Sequence, residues 1–280
     1  MTVAAEHSTR HPAPAAEPTL RRPVAGGEGG RSAAPRLRRA VRVALSAAVG
    51  LALSACALLD FEPPGPEEFP VHGIDVSYYQ EEIDWMAVRN AGTTFAWIKA
   101  TEGGDWLDPK FAQNYMAAGA AGLARGAYHF YYFCRPVEDQ IAWFIRNVPV
   151  DPTALPPVLD MEWNSESKTC RYRPPRAEVH ANMRKWLTAI EAHYGKRPVI
   201  YSTVDFYRDR LAGAFGDYHI WLRSVAGHPS VRYGDRKWHF WQHTATGRIP
   251  GIRGNVDRNV FFGSPRQWQT FLMGAHDPRA

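Results

Sequence analysis

Apolar and polar positions alternate so as to divide the chain from Val71 onward into strands and helices. Five short apolar runs are each followed by a stretch of helical periodicity, as in βα units, and three runs follow without one. The pattern predicts strands at 71–77, 94–100, 124–133, 158–162, 198–202, 219–222, 238–243 and 256–262, and helices at 83–90, 108–121, 138–147, 174–194 and 206–212. We expect an α/β fold, a modified TIM-like barrel of five βα units followed by three strands with little helix between them.

The strand at 158–162 is apolar on both faces and ends in two acids. Side chains in a strand repeat every two residues, so Asp160 and Glu162 share one face and Leu159 and Met161 share the other. Two carboxyl groups this close raise the proton affinity of one of them, which suits a general acid near neutral pH. The alternative is that Asp160 caps a loop and Glu162 is solvated.

The N-terminal region has the pattern of an export signal. A basic patch at 36–42 precedes a run of small and apolar residues at 43–55, and Leu53-Ser54-Ala55-Cys56 resembles the bacterial lipobox, in which the cysteine is lipidated. An uncleaved anchor over 43–59 is the alternative. We predict a disordered leader plus lipoprotein signal peptide over 1–56, an acidic Pro-rich tether over 57–70, the barrel over 71–270 and a tail over 271–280.

The net charge of +5 comes from the leader, because residues 1–56 hold eight Arg against three Glu. The remainder is neutral, so we do not expect nucleic acid as a partner. Cys134 and Cys170 follow adjacent predicted strands, whose loops lie side by side in a barrel. After export they are expected to form a disulfide, and two free thiols are the alternative. The cysteines fit no zinc spacing, and we expect no metal and no cofactor.

Acids and aromatic residues recur where the predicted strands end. In αβ barrels the reactive groups lie at the carboxyl ends of the strands. The residues at these positions are Asp75, Glu102, Tyr128, His129, Asp160, Glu162, Tyr201, Trp221, Trp241, Gln242 and Asp257. Acids can transfer protons and stabilise an oxocarbenium-like transition state, and aromatic rings can stack on sugar faces, so a carbohydrate site is predicted. His129 faces away from Tyr128 and is interpreted as a structural histidine.

Several segments, in this order, resemble the family 25 glycoside hydrolases, the N-acetylmuramidase lysozymes. They are Gly73-Ile74-Asp75-Val76-Ser77 with Gln80, Ile98-Lys99-Ala100-Thr101-Glu102-Gly103 with Asp108, Gly126-Ala127-Tyr128-His129-Phe130, Leu159-Asp160-Met161-Glu162, Trp241-Gln242 and Val256-Asp257-Arg258-Asn259. The resemblance implies hydrolysis of the β-1,4 bond between N-acetylmuramic acid and N-acetylglucosamine in peptidoglycan. Trp97 and Trp106 depart from the family's smaller residues and are expected to change substrate fit.

The resemblance also implies roles for individual residues. Glu162 matches the general acid, and Asp160 matches the partner that assists the substrate's 2-acetamido group. Asp75 and Asp257 match acids that maintain the electrostatics of the site. Glu102 is expected to orient Lys99 or a sugar hydroxyl, with a structural ion pair as the alternative. The expected substrate-binding residues, each of which could instead belong to the core, are Tyr128, Tyr201, Trp221, Trp241 and Gln242.

The sequence therefore predicts an exported, membrane-anchored lipoprotein facing the periplasm or cell exterior, attached through Cys56 and acting as a monomer on peptidoglycan glycan strands. A non-catalytic peptidoglycan-binding module is one alternative, and a glycosidase acting on another N-acetylhexosamine polymer is the other. The retaining route, substrate-assisted or otherwise, is left open by the residues.

Overall fold

Eight strands close into a barrel in the computed structural model, which describes residues 62–274. They are β1 (His72–Val76), β2 (Phe95–Glu102), β4 (Ala124–Phe130), β5 (Val158–Met161), β6 (Val199–Ser202), β7 (Ile220–Arg223), β8 (Phe240–Gly247) and β9 (Val256–Phe261). A ninth, two-residue strand, β3 (Trp106–Leu107), pairs with the end of β2. The barrel closes because β1 pairs with both β2 and β9. The predicted α/β barrel and its eight strands are confirmed.

The last strand of the barrel runs in the opposite direction to the other seven barrel strands. Leaving aside the short β3, each neighbouring pair from β1 to β8 is parallel, whereas β9 is antiparallel to both β1 and β8. The start of β9 therefore lies at the end of the barrel where the other strands finish. In this register Asp257 is directly opposite Asp75.

The helices α1 to α7 pack around the barrel or close one end. Their bounds are Trp85–Asn90, Phe111–Ala120, Val137–Asn147, Arg176–Tyr194, Val204–Phe206 with a π-helical continuation over Tyr207–Leu211, Pro229–Tyr233 and Pro265–Leu272. Five follow the predicted pattern, while the short α6 and the terminal α7 were not expected. Ser264 caps α7 and Pro265 occupies its first position, both of which favour a helix start. The predicted domain end at 270 falls inside this helix.

The lower half of the barrel interior, nearer the amino ends of the parallel strands, is filled with aromatic side chains. Trp97 of β2 stacks on Trp221 of β7 with ring centroids 4.7 Å apart, and both are almost fully buried. Gly126 of β4 leaves room for this pair, since a Cβ there would lie 2.8 Å from the Trp97 ring. Trp268 and Phe271 of α7 pack beneath them against Phe95, Phe240 and Phe261. Polar groups inside the barrel are thereby restricted to its upper end.

A second apolar layer lies between the strands and the surrounding helices. His129 is fully buried there, within 2.8 Å of the Thr101 hydroxyl and 3.0 Å of Gln140 Oε1. Both ring nitrogens therefore have partners, as expected of a structural histidine. Phe69, in the predicted tether, is also buried here against Trp238. None of the helices between residues 62 and 274 combines the length and apolar character needed to span a membrane.

Candidate active site

Four carboxyl groups from three strands come together at the mouth of the barrel. Asp75 and Asp257 are register partners on β1 and β9, while Asp160 lies on β5, two residues before Glu162. Burial is the main cause that raises the pKa of Asp75, and the charge of Asp257 raises it further. Burial likewise raises the pKa of Asp160, and the charge of Glu162 raises it further. Since such effects require short separations, the acids form one cluster.

Asp75 is held by two amide side chains. Its Oδ2 accepts hydrogen bonds from Gln242 Nε2 at 2.9 Å and from Asn259 Nδ2 at 2.8 Å. Burial, followed by the charge of Asp257, raises the pKa of Asp75 well above its usual range, and the two amide donors oppose this rise. Because Oδ2 already accepts two hydrogen bonds, a proton on Asp75 would be carried by Oδ1.

Two aromatic residues orient these amides. The Tyr201 hydroxyl donates to Gln242 Oε1 at 3.0 Å, and Trp221 Nε1 donates to Asn259 Oδ1 at 2.8 Å. An indole N–H can only donate, so Asn259 must turn its oxygen to Trp221 and its NH₂ group to Asp75. Two hydrogen-bonded chains, each beginning at a buried aromatic ring, therefore converge on one carboxylate oxygen.

Asp160 is buried and incompletely paired. Its Oδ1 has no hydrogen-bond partner among residues 62–274. Burial, followed by the charge of Glu162, raises the pKa of Asp160, while Lys99 acts in the opposite direction. An unpaired buried carboxyl oxygen is costly unless a bound molecule supplies a donor. Asp160 is therefore suited to accept a hydrogen bond from a ligand.

Glu162 has the proton affinity of a general acid. Burial raises its pKa to about 7; among the neighbouring charges, Arg223 lowers it and Asp205 raises it. A carboxyl group with this pKa is protonated in a large fraction of molecules near neutral pH and can still lose its proton. Asp257 is shifted less, to a pKa of about 6, again by burial and against the charge of Arg223.

Two clefts meet at Glu162 and share Trp163 and Ser165. The first, which we call the aromatic cleft, has a volume of about 390 Å³ and is also lined by Tyr79, Glu102, Phe130, Tyr132, Asn164, Glu166 and Ser167. The second, the arginine cleft, has a volume of about 460 Å³ and is also lined by Thr203, Val204, Asp205, Arg208, Arg223 and Arg232. Their arrangement allows an extended polymer to pass over Glu162.

Sequence comparison identifies the family. The profile of glycosyl hydrolases family 25 matches residues 74–252, a span that runs from β1 through β8. The chain belongs to this family. It is therefore a glycoside hydrolase, and its barrel is the family 25 fold.

Relatives and solved structures agree with this assignment. Lysozyme M1 of Streptomyces globisporus is 38% identical over 209 residues, which cover 69% of this chain and 68% of that protein. A family 25 glycosyl hydrolase from Bacillus anthracis has a TM-score of 0.69 at 35% identity, covering 75% of this chain and 97% of that one. A bacterial lysozyme from Streptomyces coelicolor has a TM-score of 0.67 at 34% identity, covering 74% and 98%.

Within this family 25 barrel, three expected sugar contacts lie in the core. Tyr201 and Trp221 are only 6% and 2% exposed, and they support the amides below Asp75. Trp241 faces the outer layer, where its N–H donates to the Ser224 carbonyl at 2.8 Å. These positions argue against sugar stacking by any of the three. Gln242 likewise contacts Asp75, and Trp97 lies beneath the acids, away from the clefts.

Glu102 and Tyr128 remain near the cluster. Glu102 lines the aromatic cleft and forms a 2.8 Å ion pair with Lys99, so both interpretations of its role match its position. The Lys99 ammonium group lies 4.9 Å from the Trp106 ring centroid and 4.8 Å from that of Phe130. Tyr128 is half-buried, and burial, then the charge of Asp75, raises the pKa of its hydroxyl well above the usual value.

The predicted disulfide joins Cys134 to Cys170, with Cα atoms 5.7 Å apart. It links the segment after β4 to the loop after β5, which contributes one wall of the aromatic cleft. Asn164 strengthens the same link, since its side chain accepts from the Phe133 N–H and donates to the Tyr131 carbonyl. The loop beside Glu162 is therefore fixed at both ends.

Three residues of the site were given no role from the sequence. Asn259 is two residues from Asp257 on β9, and Arg223 is two residues from Trp221 on β7, so strand periodicity could have found both. Asp205 follows β6 and gave no comparable signal. Among residues 62–274 no group of three or more His, Cys, Asp or Glu could hold a metal ion. Cys56 and the predicted signal peptide lie outside the described residues.

Proposed function

We propose that this glycoside hydrolase is a muramidase that cleaves the β-1,4 bond between N-acetylmuramic acid and N-acetylglucosamine in peptidoglycan. The observation that carries the proposal is a carboxyl group of pKa about 7, Glu162, at the junction of two clefts and within a cluster of acids. This arrangement meets the requirement of glycoside hydrolysis for a protonated acid beside a second carboxyl group.

The names of relatives support the substrate class. One of these relatives is Lysozyme M1. Two others are proteins named N,O-diacetylmuramidase, from Arthroderma benhamiae and Chalaropsis, which are each 30% identical to this chain, over 215 and 227 residues. They cover 73% and 74% of this chain. If this chain acts on the same polymer as these relatives, that would explain why the clefts extend on both sides of Glu162.

In the proposed mechanism, Glu162 donates its proton to the glycosidic oxygen as the bond to the anomeric carbon breaks. The unpaired Oδ1 of Asp160 accepts a hydrogen bond from the 2-acetamido N–H, while the acetamido oxygen bonds to the anomeric carbon in place of the leaving oxygen. Asp75 and Asp257 stabilise the positive charge that develops on the sugar. Water then bonds to the anomeric carbon and displaces the acetamido oxygen, and Glu162, now ionised, accepts the proton of that water.

The cellular setting is part of the proposal. A signal peptide ending at Cys56 would export the chain and attach it to a membrane by lipid, facing the periplasm or cell exterior. The barrel would then act as a monomer on nearby glycan strands. Radiolabelled fatty acid should be incorporated into the wild-type protein and not into Cys56→Ser if this is correct.

The decisive test of the activity is the identity of the sugar at each new reducing end. Purified protein is incubated with cell walls, the products are reduced with borohydride, and the reduced sugars are separated. Muramic acid at the reduced ends is the expected result. Glucosamine there, or cleavage of chitin oligomers in preference to walls, would instead indicate a different glycosidase.

A further inference from the structure

The two clefts that meet at Glu162 differ in charge. The lining of the aromatic cleft contains no Lys or Arg, whereas three arginines, Arg208, Arg223 and Arg232, line the other cleft. The acids of the arginine cleft are Asp205 and Glu162, and Glu162 carries a proton in a large fraction of molecules near neutral pH. A molecule lying across Glu162 therefore meets two different environments.

Two of these arginines are available to a ligand. The guanidinium groups of Arg223 and Arg232 form no ion pair or hydrogen bond within residues 62–274, whereas that of Arg208 is paired with Asp209. Arg223 is half-buried at the end of β7, and Arg232 is exposed on α6. Desolvating an arginine without a partner is unfavourable, so this cleft favours an anionic occupant.

The position of Arg223 places that occupant next to the reaction. Its charge lowers the pKa of both Glu162 and Asp257, which requires it to lie near both carboxyl groups. Arg232 contributes to the same cleft from α6. An anion held between the two arginines would therefore be attached to a sugar bound close to Glu162.

Peptidoglycan supplies such an anion, and neutral polymers of N-acetylhexosamine do not. The lactyl group of muramic acid ends in a free carboxylate where no peptide is attached. Where a peptide is attached, that carboxyl group is an amide and the peptide supplies carboxylates of its own. A guanidinium group matches the geometry of a carboxylate and forms paired hydrogen bonds with it. We propose that Arg223 and Arg232 bind a carboxylate of the muramic acid substituent and thereby select substituted wall glycan over neutral polymers. This inference depends on the proposed muramidase activity.

The test compares three substrates with the full-length protein. They are intact peptidoglycan, glycan strands from which an amidase has removed the peptides so that only lactyl carboxylates remain, and peptidoglycan whose carboxylates have been converted to methylamides. Wild-type kcat/KM should be about tenfold higher on carboxylate-bearing glycan than on the methylamide form, the usual effect of one charge-assisted contact. A preference that survives peptide removal identifies the lactyl carboxylate, and one that requires peptide identifies the peptide.

Arg232→Gln should remove most of this preference, because KM should rise several-fold more on the carboxylate-bearing substrate than on the methylamide substrate. Arg89→Gln is the matched control, because Arg89 is an exposed arginine of α1 in neither cleft, and it should retain the preference. Equal cleavage of native and methylamide substrates by wild type, or a preference unchanged in Arg232→Gln, would overturn the inference and leave the muramidase proposal intact. Release of no reducing ends from any substrate would instead refute the activity itself.

Discussion

Trp221 fixes the orientation of Asn259 by donating its indole N–H to the Asn259 side-chain oxygen at 2.8 Å. The NH₂ group of Asn259 consequently faces Asp75 and donates to Oδ2. Trp221 lines neither cleft, yet through Asn259 it determines that an N–H donor faces the Asp75 carboxylate at the mouth of the barrel. Asn259 is thus one of two amides, with Gln242, that connect the aromatic core to Asp75.

The first prediction compares two tryptophans of the same stack. Trp221→Phe removes the donor to Asn259, so the amide can rotate, whereas Trp97→Phe removes a 3.4 Å hydrogen bond to the Pro156 carbonyl and part of the stacked ring surface but leaves the donor to Asn259 in place. Each change should lower the free energy of unfolding by about 1–3 kcal/mol, but only Trp221→Phe should lower kcat and shift its pH profile. Urea unfolding and kcat–pH profiles measure this. Similar profiles for the two variants would show that the amide orientation does not matter.

The second prediction concerns the pH at which activity is lost. Glu162 must be protonated to act as an acid, so kcat should fall as the pH rises through about 7, a value that belongs to the coupled cluster. Asp205 raises the pKa of Glu162 and Arg223 lowers it. Asp205→Asn should therefore move this decline to lower pH, and Arg223→Gln should move it to higher pH.

Asp139→Asn, an exposed acid on α3, is the control for the loss of one negative charge. Its profile should overlay that of wild type. If Asp205→Asn and Arg223→Gln shift the decline of kcat at high pH in the same direction, that result would contradict its assignment to Glu162.

The third prediction is that Glu162 destabilises the fold when it ionises. Its pKa is 4.5 in an ordinary environment and about 7 here, so the folded state binds more protons between these values and loses stability as the pH rises through them. The whole effect is about 3 kcal/mol at most, at about 1.4 kcal/mol per tenfold change in proton affinity. Glu162→Gln should therefore be more stable than wild type at pH 8 and similar at pH 4. Denaturant unfolding at both pH values measures it, and a destabilised variant at pH 8 would refute the burial of this charge.

The fourth prediction concerns the disulfide between Cys134 and Cys170, which are 36 positions apart in the chain. Replacing both with Ser should lower the free energy of unfolding by about 4 kcal/mol in the chain-entropy model. Because the loop after β5 lines the aromatic cleft, KM for cell walls should also rise. Reduced wild type should behave like the double variant. Unchanged stability in the double variant would mean that Asn164 and neighbouring contacts suffice.

Much of the fold could be predicted because periodicity and strand-end acids are local signals. The alternation from Val71 to Phe262 predicted all eight barrel strands, and the positions of Asp75, Asp160 and Asp257 predicted their convergence. The reversal of β9 could not be predicted, since an apolar run reads the same in either direction. Its consequence is that Asp257 reaches the mouth from the start of its strand.

The aromatic residues were harder to interpret because a ring is equally suited to a core or to a sugar. The side chains of Trp221 and Tyr201 point into the barrel, as expected, but they lie one layer below the acids. Strand periodicity predicts which face a side chain is on and not how far along the barrel it lies. Trp241 could have been assigned from the sequence, since it is adjacent to Gln242 on β8 and neighbouring strand residues face opposite sides. A residue beside one that contacts Asp75 therefore belongs to the outer layer.

The central claim, that Glu162 is the proton donor, is tested most directly by measuring the release of reducing ends from cell walls by Glu162→Gln. Glu178→Gln, a half-buried carboxyl group on α4 that lines neither cleft, serves as the control and should digest walls at the wild-type rate. We expect Glu162→Gln to release at least about a hundredfold fewer reducing ends while its circular dichroism spectrum matches that of wild type. Wild-type digestion by the folded Glu162→Gln protein would contradict the account.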